Sequence, residues 1–68
     1  MSDIQRQIQI GETVVHNRTQ NEYVYNGLCS MKVNGAWIVG CMYYHNVPKF
    51  QTYVRSWDDF SNKFSIKN

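Results

Sequence analysis

Asparagine followed by glycine at positions 34 and 35, with an apolar run on either side, constrains this chain more than any other local feature. The pair tolerates positive φ at both central positions of a type I′ turn, whose twist matches that of two strands joined by a two-residue loop. A hairpin is therefore expected at the centre of the sequence, with strands over residues 22–33 and 36–44. In the first of these, Asn26-Gly27 interrupts the alternation of Tyr23 and Tyr25 with Val24, Leu28 and Met31, which predicts a bulge. The second is apolar on both faces: Trp37, Val39, Cys41 and Tyr43 on one, Ile38, Met42 and Tyr44 on the other, with Gly40 leaving a gap. One face is expected to cover the core. The other must meet a second subunit, a ligand or the C-terminal helix.

The flanking segments extend the same pattern. Residues 1–7 form a loose arm, residues 8–16 an edge strand around Ile8, Ile10, Val14 and Val15, and residues 17–21 a polar turn. After the hairpin, residues 45–49 are a loop, since Pro48 cannot donate to a ladder, and residues 50–55 are a further strand. Ser56 then starts a short helix of about two turns, because its hydroxyl can accept from the first-turn backbone and Asp58 and Asp59 sit where the helix dipole favours negative charge. Trp57, Phe60 and Phe64 fall on one stripe, with Lys63 near the end that prefers positive charge. Residues 64–67 are extended and able to rejoin the sheet. The fold class is mainly β: a small curled antiparallel sheet or SH3-like barrel with one short C-terminal helix, in a single domain over residues 1–68.

At 68 residues the chain has room for one small core. The balance of ~25 cal/mol per Å² of buried apolar area against ~1.5 kcal/mol of ordering entropy per residue comes out near zero at this size. Self-association into a dimer or tetramer is the expected remedy. Disulfides are not, because Cys29 and Cys41 lack any close-spaced zinc or redox pattern and are read as reduced core residues. The sequence shows no apolar stretch of signal-peptide or membrane-span type, so no membrane partner is expected, and a reducing cytoplasm fits. A net charge of +2 with scattered Lys and Arg argues against duplex DNA as a partner.

Catalysis needs a nucleophile with a base, or paired acids, in fixed geometry. Adjacent Asp58 and Asp59 point about 100° apart on a helix, and Cys41 with His45 lacks a supporting third group, so no enzyme activity is expected. His16, His45, Cys29 and Cys41 match no zinc-site spacing, and neither a metal nor another cofactor is expected. The constellation with chemical meaning combines aromatic and cationic groups: Tyr43, Tyr44, His45, Lys49, Tyr53 and Arg55, drawn from the aromatic strand, its loop and the next strand. Planar side chains stack on nucleobases and Arg or Lys holds phosphate. The competing structural reading puts Tyr53 and Trp57 in the core with Arg55 packed over them.

The segment from Tyr53 to Phe64 reads Tyr-Val-Arg, four residues, Phe, three residues, Phe. With Val14-Val15-His16, Thr19 and Tyr23 in order upstream, it resembles a class of small uncharacterised proteins of tailed bacteriophages with relatives in bacteria. The long aromatic strand from Trp37 to Tyr44 departs from the bacterial relatives. That resemblance implies a stoichiometric host-takeover or anti-defence factor. One form is an oligomeric sponge that sequesters a nucleotide second messenger, a cyclic oligonucleotide, of host antiviral defence. The alternative is a protein–protein inhibitor that masks a host or defence enzyme.

Overall fold

The computed structural model describes residues 8–45 and 51–67. Its elements are β1 (Thr13–His16), β2 (Glu22–Val33), β3 (Ala36–His45), β4 (Thr52–Ser56), α1 (Trp57–Lys63) and β5 (Phe64–Ile66). All strand pairs are antiparallel, in the order β4-β3-β2-β1-β5. The sheet is not closed, so of the two expected arrangements the curled sheet holds and the barrel does not.

The local signals act where they were read. Asn34 and Gly35 adopt φ of 50° and 83°, as a type I′ turn requires. The register of β2 against β3 slips between Tyr25 and Gly27, and Gly27 takes a φ of 113° that a side chain would strain. Ser56 caps α1, its Oγ accepting from the backbone N–H of Asp59 at 3.2 Å.

Two expectations need correction. The first strand is not an edge: residues 8–12 form a loop and turn, and β1 lies inside the sheet between β2 and β5. β5 captures its outer side, pairing Val14 with Ile66 and His16 with Phe64. The second is the loop expected over residues 45–49, from which His45 is removed: it ends β3, paired with Tyr23. Residues 46–50, including Lys49 and the start of the predicted fourth strand, lie outside the described residues, as does the arm over 1–7.

The helix decides the shape. It follows β4 and precedes β5 with no intervening loop, yet those strands are the two edges of the sheet. Eight helical steps advance about 12 Å. Four flat inter-strand gaps would span roughly 19 Å. The sheet must curl to bring its edges within the helix's reach, and α1 then fills the concave face. Phe60 and Phe64 are fully buried there with Val14, Tyr25, Cys41 and Tyr43, while Tyr23, Tyr53, Trp57 and Ile66 pack around them half-buried. Burial pushes the Cys41 thiol up to about 12, so it remains a protonated apolar group.

A helix of seven residues is about 10 Å long, whereas the ten residues of β3 span roughly 33 Å. The near half of β3 is covered, and Trp37 and Val39, on the same face as Cys41 and Tyr43, run out past the helix into solvent. On the opposite face Gly40 makes room for Met31, whose side chain occupies the place a Cβ would take. In urea titrations Ser56→Ala should therefore lower stability by ~1 kcal/mol through the lost cap. Gly40→Ala should lower it by ~1–3 kcal/mol, because Met31 must move and the Arg55 carbonyl stands 3.1 Å from the new methyl.

Candidate functional site

Antiparallel pairing of β1 with β5 brings the polar turn over residues 17–21 against the C-terminal end of α1. The contact is specific: the Asn17 N–H donates to the Lys63 carbonyl at 2.8 Å, and Ser65 Oγ donates to Asn17 Oδ1 at 2.7 Å. Between turn and helix lies a cleft of about 320 Å³ lined by His16, Asn17, Arg18, Arg55, Asn62 and Lys63. Three of the six are cations, and nearby Asp59 supplies one compensating carboxylate.

Arg55 enters this cleft from the far side of the sheet, and its position is fixed by two bonds. Its Nε donates to the Tyr43 hydroxyl at 2.7 Å, and its Nη1 pairs with Asp59 at 2.5 Å. The guanidinium carbon lies 5.5 Å from the centre of the Phe64 ring. Asp59 also meets Lys63 Nζ at 3.1 Å. These hydrogen bonds, from Arg55 first and then Lys63, hold the Asp59 carboxyl below its ordinary range, so it is ionised and keeps both cations in place.

His16 closes the cleft on the β1 side. Its ring stands edge-on to Phe64 at 5.0 Å, and its Nδ1 accepts a long bond from the Thr19 N–H at 3.4 Å. An accepting Nδ1 places the ring proton on Nε2, which makes His16 a donor in its neutral form. Burial, and then the positive charges of Arg55, Arg18 and Lys63, lower its pKa from 6.5. Neutral at physiological pH, His16 presents an N–H rather than a base.

The residues singled out from the sequence divide between locations. Tyr43, His45, Tyr53 and Arg55 project from the same face of the sheet, aligned by the pairings of Tyr43 with Tyr53 and of Cys41 with Arg55. Tyr43 is a core residue, 4% exposed, stacked on Tyr53 at 5.6 Å. His45 and Tyr53 are half-buried and gather around Tyr23, with centroid separations of 4.4 Å for His45–Tyr23 and 6.1 Å for Tyr53–Tyr23. Tyr44, paired with Val24 and Thr52, faces the opposite side and belongs to a different surface. Arg55 packs over Phe64, and Tyr53 and Trp57, which the structural reading put in the core, are partly buried against that core.

Sequence reasoning missed Asn17, Arg18, Asn62 and Lys63 as site residues, and weighed His16 only as a metal ligand that fits no zinc spacing and as part of a motif. His16 ends β1 and Arg55 lies in β4. They meet at the cleft because β5 returns to β1. One Phe64 ring separates the two surfaces, contacting His16 on the cleft side and Tyr23, at 5.5 Å, in the aromatic cluster.

No family model matches the chain, and neither a curated protein nor a solved structure does. Among the described residues no helix is long and apolar enough to cross a membrane, and no group of three His, Cys, Asp or Glu residues could hold a metal ion.

The depressed pKa of His16 has a direct thermodynamic consequence. As pH falls through 6.5 the unfolded chain takes up its proton before the folded one, so His16 should cost stability progressively from that pH down to its folded pKa. An NMR titration of the His16 ring should give a midpoint below 6.5, and His16→Gln should flatten the fall in melting temperature across that window.

Proposed function

We propose that this protein is a non-catalytic binding protein for a small phosphate-bearing nucleotide, which it sequesters rather than transforms. The observation that carries this reading is the cleft between the 17–21 turn and the end of α1, where Arg18, Arg55 and Lys63 converge with the neutral donors His16, Asn17 and Asn62. Guanidinium and ammonium groups form the strongest hydrogen bonds a protein offers to phosphate. Arg55 meets the anion already oriented by Tyr43 and Asp59, and its Nη2 has no partner among the described residues. Pre-orientation of this kind reduces the entropy lost on binding.

Size narrows the ligand. A volume of about 320 Å³ lies at the small end of ligand sites, which run from ~300 to 1,000 Å³. The cleft takes one phosphate and its sugar, leaving bases outside it. Half-buried Tyr23, His45 and Tyr53, on the other side of Phe64, offer a nearby aromatic surface on which a base can stack. A cyclic oligonucleotide carries phosphates and bases in one compact ring and suits such a divided site. The resemblance to phage proteins makes a messenger of antiviral defence the first ligand to test.

The test is a thermal-shift and calorimetry panel of inorganic phosphate, mononucleotides, and cyclic di- and trinucleotides. A true ligand at 100 times its dissociation constant should stabilise the fold by ~2.7 kcal/mol. Arg18→Ala and Lys63→Ala should each weaken it by ~1.5–3 kcal/mol with the fold intact. Arg55→Ala is the less clean probe because it also leaves the Tyr43 hydroxyl without its Arg55 partner. Ligand binding should raise the His16 midpoint, since a bound anion favours the imidazolium. A melting temperature indifferent to every compound in the panel would refute the reading.

A further inference from the structure

We propose that two copies of this chain pair edge to edge through residues 36–39 of β3, antiparallel about a two-fold axis, joining their sheets into one. β4 pairs with β3 only from Gly40 to Tyr44, and no described segment pairs with the outer side of residues 36–39. On an antiparallel strand alternate residues aim their N–H and C=O groups to each side, so this stretch presents a short unfilled ladder. Natural edges of this kind are protected by a charge, a proline or a bulge. Residues 36–39 read Ala-Trp-Ile-Val and have none of these, for the one bulge of this hairpin lies at Gly27 in the other strand.

The side chains along the edge are equally uncovered. Trp37 is 69% exposed and Val39 56% on the helix side, and Ile38 38% on the other. A two-stranded ribbon whose β3 strand is apolar on both faces is marginal in water by itself. Where β4 leaves the sheet, a recess of about 340 Å³ lined by Ile38, Val39, Ser56, Trp57 and Asp58 provides a seat for side chains of an incoming strand.

Charge identifies that strand as a second copy. The chain is net positive, and Arg18 and Lys63 lie at the other end of the sheet, so two copies meeting here keep those cations apart. The ribbon's one charge is Lys32, held 5.7 Å from the Trp37 ring, and the recess carries Asp58. Antiparallel pairing lays the Asn34-Gly35 tip of one ribbon beside the recess of the other, which brings Lys32 of each copy towards Asp58 of its mate. A strand that is its own complement closes as a dimer and does not propagate. The nucleotide clefts remain open at the two outer ends, and the dimer does not depend on their being occupied.

Sedimentation velocity over a concentration series tests this on the full chain without ligand. The wild type should sediment as a dimer. Val39→Lys, at an exposed position, should weaken dimerisation by at least about tenfold by placing a charge on the apolar edge that has to be buried, while its far-UV spectrum stays unchanged. Lys32→Asp should weaken the dimer, and adding Asp58→Lys should restore it. In a Trp57→Phe background the Trp37 emission should shift to the red on dilution. A chain monomeric at every concentration, a dimer indifferent to Val39→Lys, failure of the double charge reversal, or Trp37 emission unchanged on dilution would each overturn the proposal. So would a monomer that uses residues 36–39 to hold a different protein.

Discussion

The direct passage of β4 into α1 and of α1 into β5 is the constraint from which the rest of the structure follows. A seven-residue helix cannot bridge a flat five-stranded sheet, so the sheet curls until its edges fall within reach. The same length sets the extent of the core. Phe60 and Phe64 fill the concavity over the near half of β3, and there is no more helix to cover the far half. The covered interior and the bare ribbon thus share one cause.

Arg55 couples that core to the cleft. A buried tyrosine hydroxyl needs a partner, and the Arg55 Nε supplies it for Tyr43. The guanidinium then lies over Phe64 and is pinned by Asp59 from the first turn of α1. Lys63, one helical turn further along, joins the same carboxylate. An exposed ion pair contributes little stability. Its use here is geometric, because it aims two cations from different elements at one volume that the 17–21 turn closes from the other side. Tyr23, Phe60 and Phe64 build the aromatic wall of this arrangement, and His16 and Arg55 reach across it.

The molecule is consequently polarised. Charge and donors collect where β5 meets β1, while a largely apolar ribbon, with Lys32 as its one charge, extends from the opposite end of the β2–β3 hairpin. Aromatic content, which in composition has two competing uses, divides accordingly. Tyr25, Tyr43, Phe60 and Phe64 are core, Tyr23, His45 and Tyr53 form a half-buried surface, and Trp37 is exposed.

The sequence by itself determined the hairpin at Asn34-Gly35, the bulge at Gly27, the cap at Ser56 and the return of the chain into the sheet after α1. Each depends on φ preferences or hydrogen bonds spanning a few residues, or on a local apolar period, and such information survives without knowledge of the fold. Tertiary structure decided the interior place of β1, the assignment of Tyr43 to the core and Tyr44 to the opposite face, and the meeting of Arg18, Arg55 and Lys63. Those outcomes depend on which strand lies beside which. The pairing of His16 with Phe64 joins residues distant in sequence, and no local propensity specifies it. It is set by the reach of one short helix across a sheet that had to bend to meet it.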